Sequence, residues 1–464
     1  MCYTIHGDLM YIKTINFTPD TNSPLYIQLS SKIEHDIAHH YLIKGDRLPS
    51  VRQLAAALNI SRTTVEAAYA RLCETGYVHA SAKRGFFVAI DAQKAKWRES
   101  ILSPRSAEET LPVRYDFSSD SVDPLCFDVS LWKRYIKEIL ENTHTIYSYG
   151  DIQGEPELRH ALQRYAYTMR GVLCRSEQII VGSSFQSLLY QLCGMLDKPQ
   201  IIAMEAPGFD KAEQVFRDYG FSIMHIPRQP HGISLEKLKQ HSITALYVHS
   251  AAIGEDKKPL DNEQRSALLA WAEKYHVMII EDDHNGELRY ASRSIPAMQG
   301  ISYHRQVVYI GSFSKLLLPS LRIGYMVLNE ELQRRYEKQK QNYSPSSSKI
   351  EQLALAHYIS DGHLERQIRR SKKRYEQKSK QLMQLCMNIF PQWTLMLEEA
   401  ALRIQMHAPT PYDNEQLLKQ CMRYGIRLQK NKNGDLLLSF TSIDTADMED
   451  ALYIIRSVWE QLTL

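Results

Sequence analysis

The stretch GSFSKLLLPSLRIGY at 311–325 concentrates reactive side chains. It sets the hydroxyls of Ser312 and Ser314 beside Lys315, with Arg322 further along. A lysine amine condenses with an aldehyde, and hydroxyls and an arginine hold a phosphate. The planar guanidinium suits phosphate because it donates two parallel bonds. Pyridoxal phosphate needs these groups. IIEDDHNGEL at 279–288 runs apolar residues straight into Glu281, Asp282 and Asp283. A carboxylate at the end of a strand sits where α/β sheets bind ligands, and Asp282 there pairs with a protonated pyridine nitrogen. The plainer reading is a solvated acidic loop. GSSFQ at 182–186 offers Ser183 and Ser184 ahead of a helix, as a phosphate cradle or as ordinary helix caps. Phe209 in EAPGF is a stacking ring or a core side chain.

Short apolar runs must carry these groups. They are QIIVG at 178–182, QIIAME at 200–205, ALYVHS at 245–250, VMIIEDD at 277–283 and VVYIGSF at 307–313. Strands buried on both faces look like this, and helical patterns between them imply an α/β fold with a mainly parallel sheet. That pattern begins near residue 114 and runs to 464. Residues 91–113 are polar, contain two prolines and lack a period, which is a linker composition. Residues 20–90 form a separate small module.

In that module PLYIQLSSKIEHDIAHHYL sets Leu25, Ile33, Ile37 and Leu42 at roughly helical spacing. Ser50 and Gln53 read as a capping box opening VRQLAAAL, and Asn59-Ile60 as a break. Ser61 caps a second helix with Val65, Ala68, Tyr69 and Leu72 inside. Two helices so joined place one in a DNA major groove. Its outward start carries Arg62, Thr63 and Thr64, types that grip phosphate and base edges. YVHASAKRGFFVA reads as strand, turn, strand, with Lys83 and Arg84 at the tip near backbone phosphate. The alternative is a small helical domain with solvated charges.

The 464 residues imply more than one domain, and a net charge of +3 demands no nucleic acid. The seven cysteines are scattered without a CxxC pair. That argues against a disulfide framework or a zinc site, leaves no metal expected, and fits a reducing compartment. MCYTIHGDLMYIK lacks the make-up of a signal peptide, and no apolar run has membrane length. A cytoplasmic protein without membrane contact is expected.

The small module resembles the GntR family of winged helix-turn-helix repressors. Pro49-Ser50-x-Arg52-x-Leu54-Ala55, Ser61-Arg62-x-Thr64-Val65, Tyr69-x-x-Leu72, Gly76 and Gly85-Phe86-Phe87-Val88 carry that likeness. The larger part keeps the element order of fold-type I aminotransferases. Together they resemble the MocR-type branch of GntR regulators, from about residue 24 to 464. Tyr149-Gly150-Asp151-x-Gln153-Gly154, Leu158-Arg159, Arg170-Gly171 and Pro296-Ala297 extend the match. The resemblance implies a homodimer on double-stranded operator DNA, a smaller C-terminal α+β subdomain, and pyridoxal phosphate as cofactor. It makes Lys315 the Schiff-base lysine and Asp282 the pyridine partner. Arg322 and Ser312 become phosphate contacts, aided by Ser183 and Ser184, and Tyr149 reaches the partner subunit's phosphate. Arg52, Arg62, Thr63 and Thr64 would face DNA.

Several positions depart from the family. EDDHNGEL puts His284 where the family has a tyrosine, which adds titration near neutrality. YVHSAAIGEDKKPL leaves Ser250 as the substitute for a polar cofactor contact. PGF and PSLR replace PGY and PGLR. NKNGDLLLSF lacks the arginine that clamps a substrate carboxylate, with Arg427 and Arg403 as alternatives elsewhere. The main expectation is a regulator sensing pyridoxal phosphate or an amino compound, with the altered pocket favouring the former. The alternatives are an active aminotransferase with a DNA-binding head, and a regulator whose sensor domain no longer binds the cofactor. The basic run RQIRRSKKRYEQKSK at 366–380 is a solvated helix face or a supplementary DNA surface.

Overall fold

Local signals set the small unit. Ser50 accepts from the Gln53 amide and Gln53 returns a bond to Ser50, which closes the capping box of helix α2, Val51–Leu58. Asn59 takes a left-handed conformation and ends it. Ser61 then caps α3, Arg62–Glu74, whose Val65, Ala68, Tyr69 and Leu72 are all buried. They pack with Leu29, Ile33 and Ile37 of α1, Leu25–Ala38. Leu25 and Leu42 depart from the helical expectation. Leu25 is exposed, and Leu42 is buried beyond the helix end. Strands β1, Val78–Ser81, and β2, Gly85–Val88, form the antiparallel wing.

The structure is a computed structural model that describes residues 23–102, 112–118, 121–197, 201–206, 209–229, 232–239, 242–249, 260–290, 295–302 and 306–463. The chain divides into Met1–Thr110 and Leu111–Leu464. The linker expected at 91–113 is wrong in its first half, where helix α4, Ala92–Leu102, forms. Its apolar residues have no stripe, since Trp97 and Ile101 are exposed while Ala95 is buried. Polar contacts add to the buried Ala92 and Ala95. Arg98 donates to the Thr75 carbonyl at 2.6 Å and lies over the Tyr77 ring.

In the larger unit β3, Ile179–Gly182, and β4, Ile201–Ala206, are followed by β5, Ser222–Gln229, and the short β6, Gly232–Ile233. Then come β7, Ala245–His249, β8, Met278–Asp282, β9, Val307–Ser312, and β10, Gly324–Val327. They form one sheet in the order β3-β10-β9-β8-β7-β4-β5-β6. Pairs β9–β8, β8–β7, β7–β4 and β4–β5 are parallel. Strand β10 runs antiparallel to β9 and β3, and β6 to β5. Successive residues of a strand face opposite ways. Ile179 and Val181 therefore pack beside Leu158 and Leu162 of α5, Pro156–Arg170, while Ile180 joins Leu188 and Leu192 of α6, Phe185–Met195.

A second, antiparallel sheet orders β11, Thr394–Glu398, β12, Arg403–His407, β14, Leu436–Ser439, and β13, Gln429–Lys430. It packs with α7, His363–Ile389, and α8, Met448–Thr463, as the smaller α+β portion. Among the described residues no helix is long and apolar enough to cross a membrane.

Candidate functional site

Strand alternation gathers the larger unit's chemistry at the carboxyl ends of its parallel strands. Ile280, Ala245 and Ile310 share the core beneath α6, so Asp282, Tyr247, His249 and Ser312 emerge on that same face. A cavity of about 340 Å³ opens there. Lys315, Asp282, Arg322, Ser312, Ser314, Ser184, Phe209 and His284 all line it. Ser183 turns its hydroxyl to Ser187 at 3.3 Å and is not among the lining residues. Tyr149 is 97 % exposed and also lies outside the lining. Ser250 and the PG of PGF fall outside the described residues, as does nearly all of the 249–258 loop.

None of the three consecutive acids is solvated. Glu281 accepts from the amides of Met298 and Gln299 at 2.8 and 3.0 Å. Asp283 takes two bonds from Arg170, at 2.6 and 3.0 Å, and one from Tyr309 at 3.0 Å. Removing one partner from such a buried pair costs about 3–5 kcal/mol. Asp282 alone faces the cavity, where Tyr247 donates to it at 2.5 Å and the His284 amide at 3.1 Å. Burial raises the Asp282 pKa, opposed by His284 and Tyr247.

His284 corrects the expectation of titration near neutrality. It lines the cavity, and burial lowers its pKa to about 4 against the pull of Asp282. His249 and Lys315 push the same way as burial. Lys315 directs Nζ to the Ser121 carbonyl at 3.3 Å.

The Ser312 and Ser314 hydroxyls are 3.1 Å apart. Ser184 caps α6, and its side chain accepts from the Ser187 amide at 3.1 Å. Phe185 and Gln186, in the first turn of that helix, also line the cavity, and first-turn amides have no intrahelical acceptor. A Cβ on Gly182 would meet Leu188 at 2.6 Å, so glycine lets the helix start this close to the strand. The Phe209 ring packs on Phe185 with centroids 5.6 Å apart.

Tyr247, His249, Glu205, Lys211 and Asn285 also line the cavity, and sequence reasoning gave them no role. The alternation of ALYVHS was the available signal, because it puts Tyr247 and His249 on one face. Between the two arginines left open, Arg403 lines the cavity and Arg427 does not. Buried Glu398 holds Arg403 through Nε. Exposed Arg427 bonds Asp116 at 3.4 Å. Asp435, in NKNGDLLLSF, is buried and bonded to Gln405, His407 and Asn431.

The basic run at 366–380 fits neither earlier reading as a whole. Lys378 is buried and donates to Asp123 at 2.9 Å, Arg374 binds the same carboxylate, and Arg370 donates to the Cys126 carbonyl at 2.8 Å. Arg369 and Lys373 stay exposed.

In the small unit Arg52, Ser61, Arg62, Thr63, Lys83 and Arg84 are exposed and Thr64 is half-buried. The Ser61 hydroxyl is engaged at the helix start, 2.7 Å from both Thr63 and Thr64 hydroxyls. Arg84 lies over the Phe87 ring at 5.8 Å.

Residues 123–455 match the family described as aminotransferase class I and II, and residues 25–88 match the bacterial regulatory proteins of the gntR family. The HTH-type transcriptional regulator YdeL of Bacillus subtilis is 30 % identical over 452 residues, covering 94 % of this chain and 97 % of its own. The chain belongs to the MocR-type branch of the GntR regulators. The probable rhizopine catabolism regulatory protein MocR of Rhizobium meliloti is 28 % identical, over 95 % of this chain and 94 % of its own. The pyridoxine biosynthesis regulator PdxR of Corynebacterium glutamicum is 28 % identical, over 68 % of each. A kynurenine aminotransferase of Pyrococcus horikoshii shares the larger unit's fold, with a TM-score of 0.65 at 22 % identity over 78 % of this chain and 96 % of that one. This MocR-type chain is therefore a transcriptional regulator with a DNA-binding head and an aminotransferase-like body.

Proposed function

We propose that this MocR-type regulator binds pyridoxal phosphate in the 340 Å³ cavity and uses it to sense an amino compound that carries an acidic group. The observation that carries the reading is one cavity lined by Lys315, Asp282, Arg322, Ser312 and Ser314. The donor set fits the cofactor. Asp282 is a buried carboxylate for the ring nitrogen, and Phe209 is an aromatic face for the ring. Arg322, the two serines and the first-turn amides of α6 suit a phosphate. When bound, the cofactor supplies an aldehyde that condenses reversibly with primary amines. Lys315 offers the amine, and the Ser121 carbonyl orients it. Tyr247 and the His284 amide fix the Asp282 carboxylate.

Arg403 turns the choice of signal toward an amino compound. Its Nε is held by Glu398, and no other described residue pairs with the rest of its guanidinium. A cation so fixed in the same cavity suits a ligand's carboxylate or other acid group. Pyridoxal phosphate by itself does not need this second arginine. The same arginine keeps open an active aminotransferase, in which it would orient the substrate.

DNA binding by the GntR head is assigned to Arg52, Arg62, Thr63 and Thr64 on or beside α3, with Lys83 and Arg84 on the wing meeting phosphate. Ser61 holds the start of α3 and offers its hydroxyl beside Thr63. A homodimer suits paired half-sites and would cover Tyr149, exposed in the single chain. Its place of action is the cytoplasm, with the operator.

The test is the absorption spectrum of the purified chain with added pyridoxal phosphate. A visible band forms in the parent protein and is lost in Lys315→Ala. A parent protein without that band refutes the reading.

A further inference from the structure

The small unit carries a cluster that neither DNA contact nor the cavity uses. His35 lies on the last turn of α1 and His39, four residues on, is its C-cap, bonded through its amide to the His35 carbonyl, so the two stand on the same side of the helix end. Helix α4 brings Glu99 against them. His35 Nδ1 lies 3.0 Å from Glu99 Oε1, and His39 Nδ1 lies 4.0 Å from Oε2. The two imidazoles lie close together, with centroids 3.9 Å apart and planes tilted by 34°. One ligand atom from each of the three residues falls within 4.8 Å of the others.

We infer that His35, His39 and Glu99 form a site for a divalent transition-metal ion, with Zn²⁺ the best fit. Two imidazole nitrogens and one carboxylate oxygen match its taste in ligands, and water completes a four-coordinate shell. The cysteine spacing that argued against a zinc site concerned thiolates and does not bear on this donor set. Bonds of about 2.0–2.2 Å to one ion require the donors to draw somewhat closer. All three side chains keep solvent contact, at 46, 40 and 37 %, so rotation about their own bonds achieves this without repacking a core. His39 Nδ1 also sits 2.9 Å from the His35 carbonyl, and turning the ring presents Nε2 instead.

The site joins two elements, not one. Besides Ala95, polar contacts fasten α4 to the small unit, and α4 is the last described element before residue 103. An ion held by α1 and α4 together would fix the stretch where the chain leaves the DNA-binding head. Binding to the folded state alone stabilises that contact by mass action. The metal thereby becomes a second input to the head, independent of the body's cavity.

Co²⁺ titration of the full-length, untagged, chelator-treated protein tests this. A visible ligand-field absorption saturates at one ion per chain and is displaced by Zn²⁺. Glu99→Gln or His39→Ala weakens binding by more than about tenfold, since even outer-shell changes cost that much. His40→Ala, which alters an exposed neighbour outside the cluster, leaves binding unchanged. Zn²⁺ slows amide exchange across 92–102 in the parent protein and not in His39→Ala. Absence of saturable binding overturns the assignment. So does equal binding by the His35→Ala/His39→Ala double variant, which places the ion elsewhere.

Discussion

A histidine in a ligand cavity invites a switch near neutral pH, and His284 is not one. Burial holds its pKa near 4, so it is neutral throughout the physiological range. The unfolded chain takes up this proton near ~6.5. As pH falls from there toward 4, the unfolded state binds the proton first and the folded state loses stability; above that window the histidine contributes no slope. Histidine ring resonances of the full chain should include one that stays in the neutral position down to about pH 5 and disappears in His284→Gln. A midpoint for that ring between about 6 and 7 would show that it is solvated. Glu281 and Glu287 carry the opposite sign, since burial and the neighbouring Asp283 raise both, so they offset part of the histidine's contribution. Much of this cavity was legible as side-chain type. Lys315, Arg322 and the serines sit in one motif, and Asp282 ends an apolar run. The environment of His284 was not legible, because its burial comes from elements far apart in the chain. Arg403 was readable only as one of two candidates, since a strand's alternation does not say what its exposed side faces.

Helix α3 has its structure written locally. A serine cap, a four-residue apolar stripe and a left-handed asparagine before it agree with one another, and the stripe is fully buried. Leu72→Ala should cost about 2–5 kcal/mol within the small unit. Hydrogen exchange in the full chain should then speed up at the amides of 51–74 and stay unchanged across the strands of 179–327. Equal acceleration in both regions would mean that the two units unfold together. Helix α4 had no such signature. Besides the buried Ala92 and Ala95, Arg98 and Glu99 tie it to the end of α3 and to α1, contacts that no periodicity encodes. The basic run of α7 misleads for the same reason. Spacing shows the charges, but only the tertiary fold brings Asp123 under Arg374 and Lys378.

Two units in one chain make a regulator only if a ligand in the body changes the head's affinity for DNA. Such coupling is reciprocal, so DNA must alter ligand affinity by the same factor. The division into two units was visible in the sequence as a change from a short helical pattern to strand–helix alternation. Its boundary was blurred because α4 belongs to the first unit. The most direct measurement is the affinity of the full-length protein for DNA upstream of its own gene. It is taken without cofactor, with pyridoxal phosphate, and with the cofactor plus a panel of amino acids. The affinity should shift by roughly 5- to 150-fold in at least one liganded state. In Lys315→Ala that shift should vanish while the unliganded affinity stays. One affinity, unchanged across every state of the parent protein, would contradict the coupling of cavity to operator.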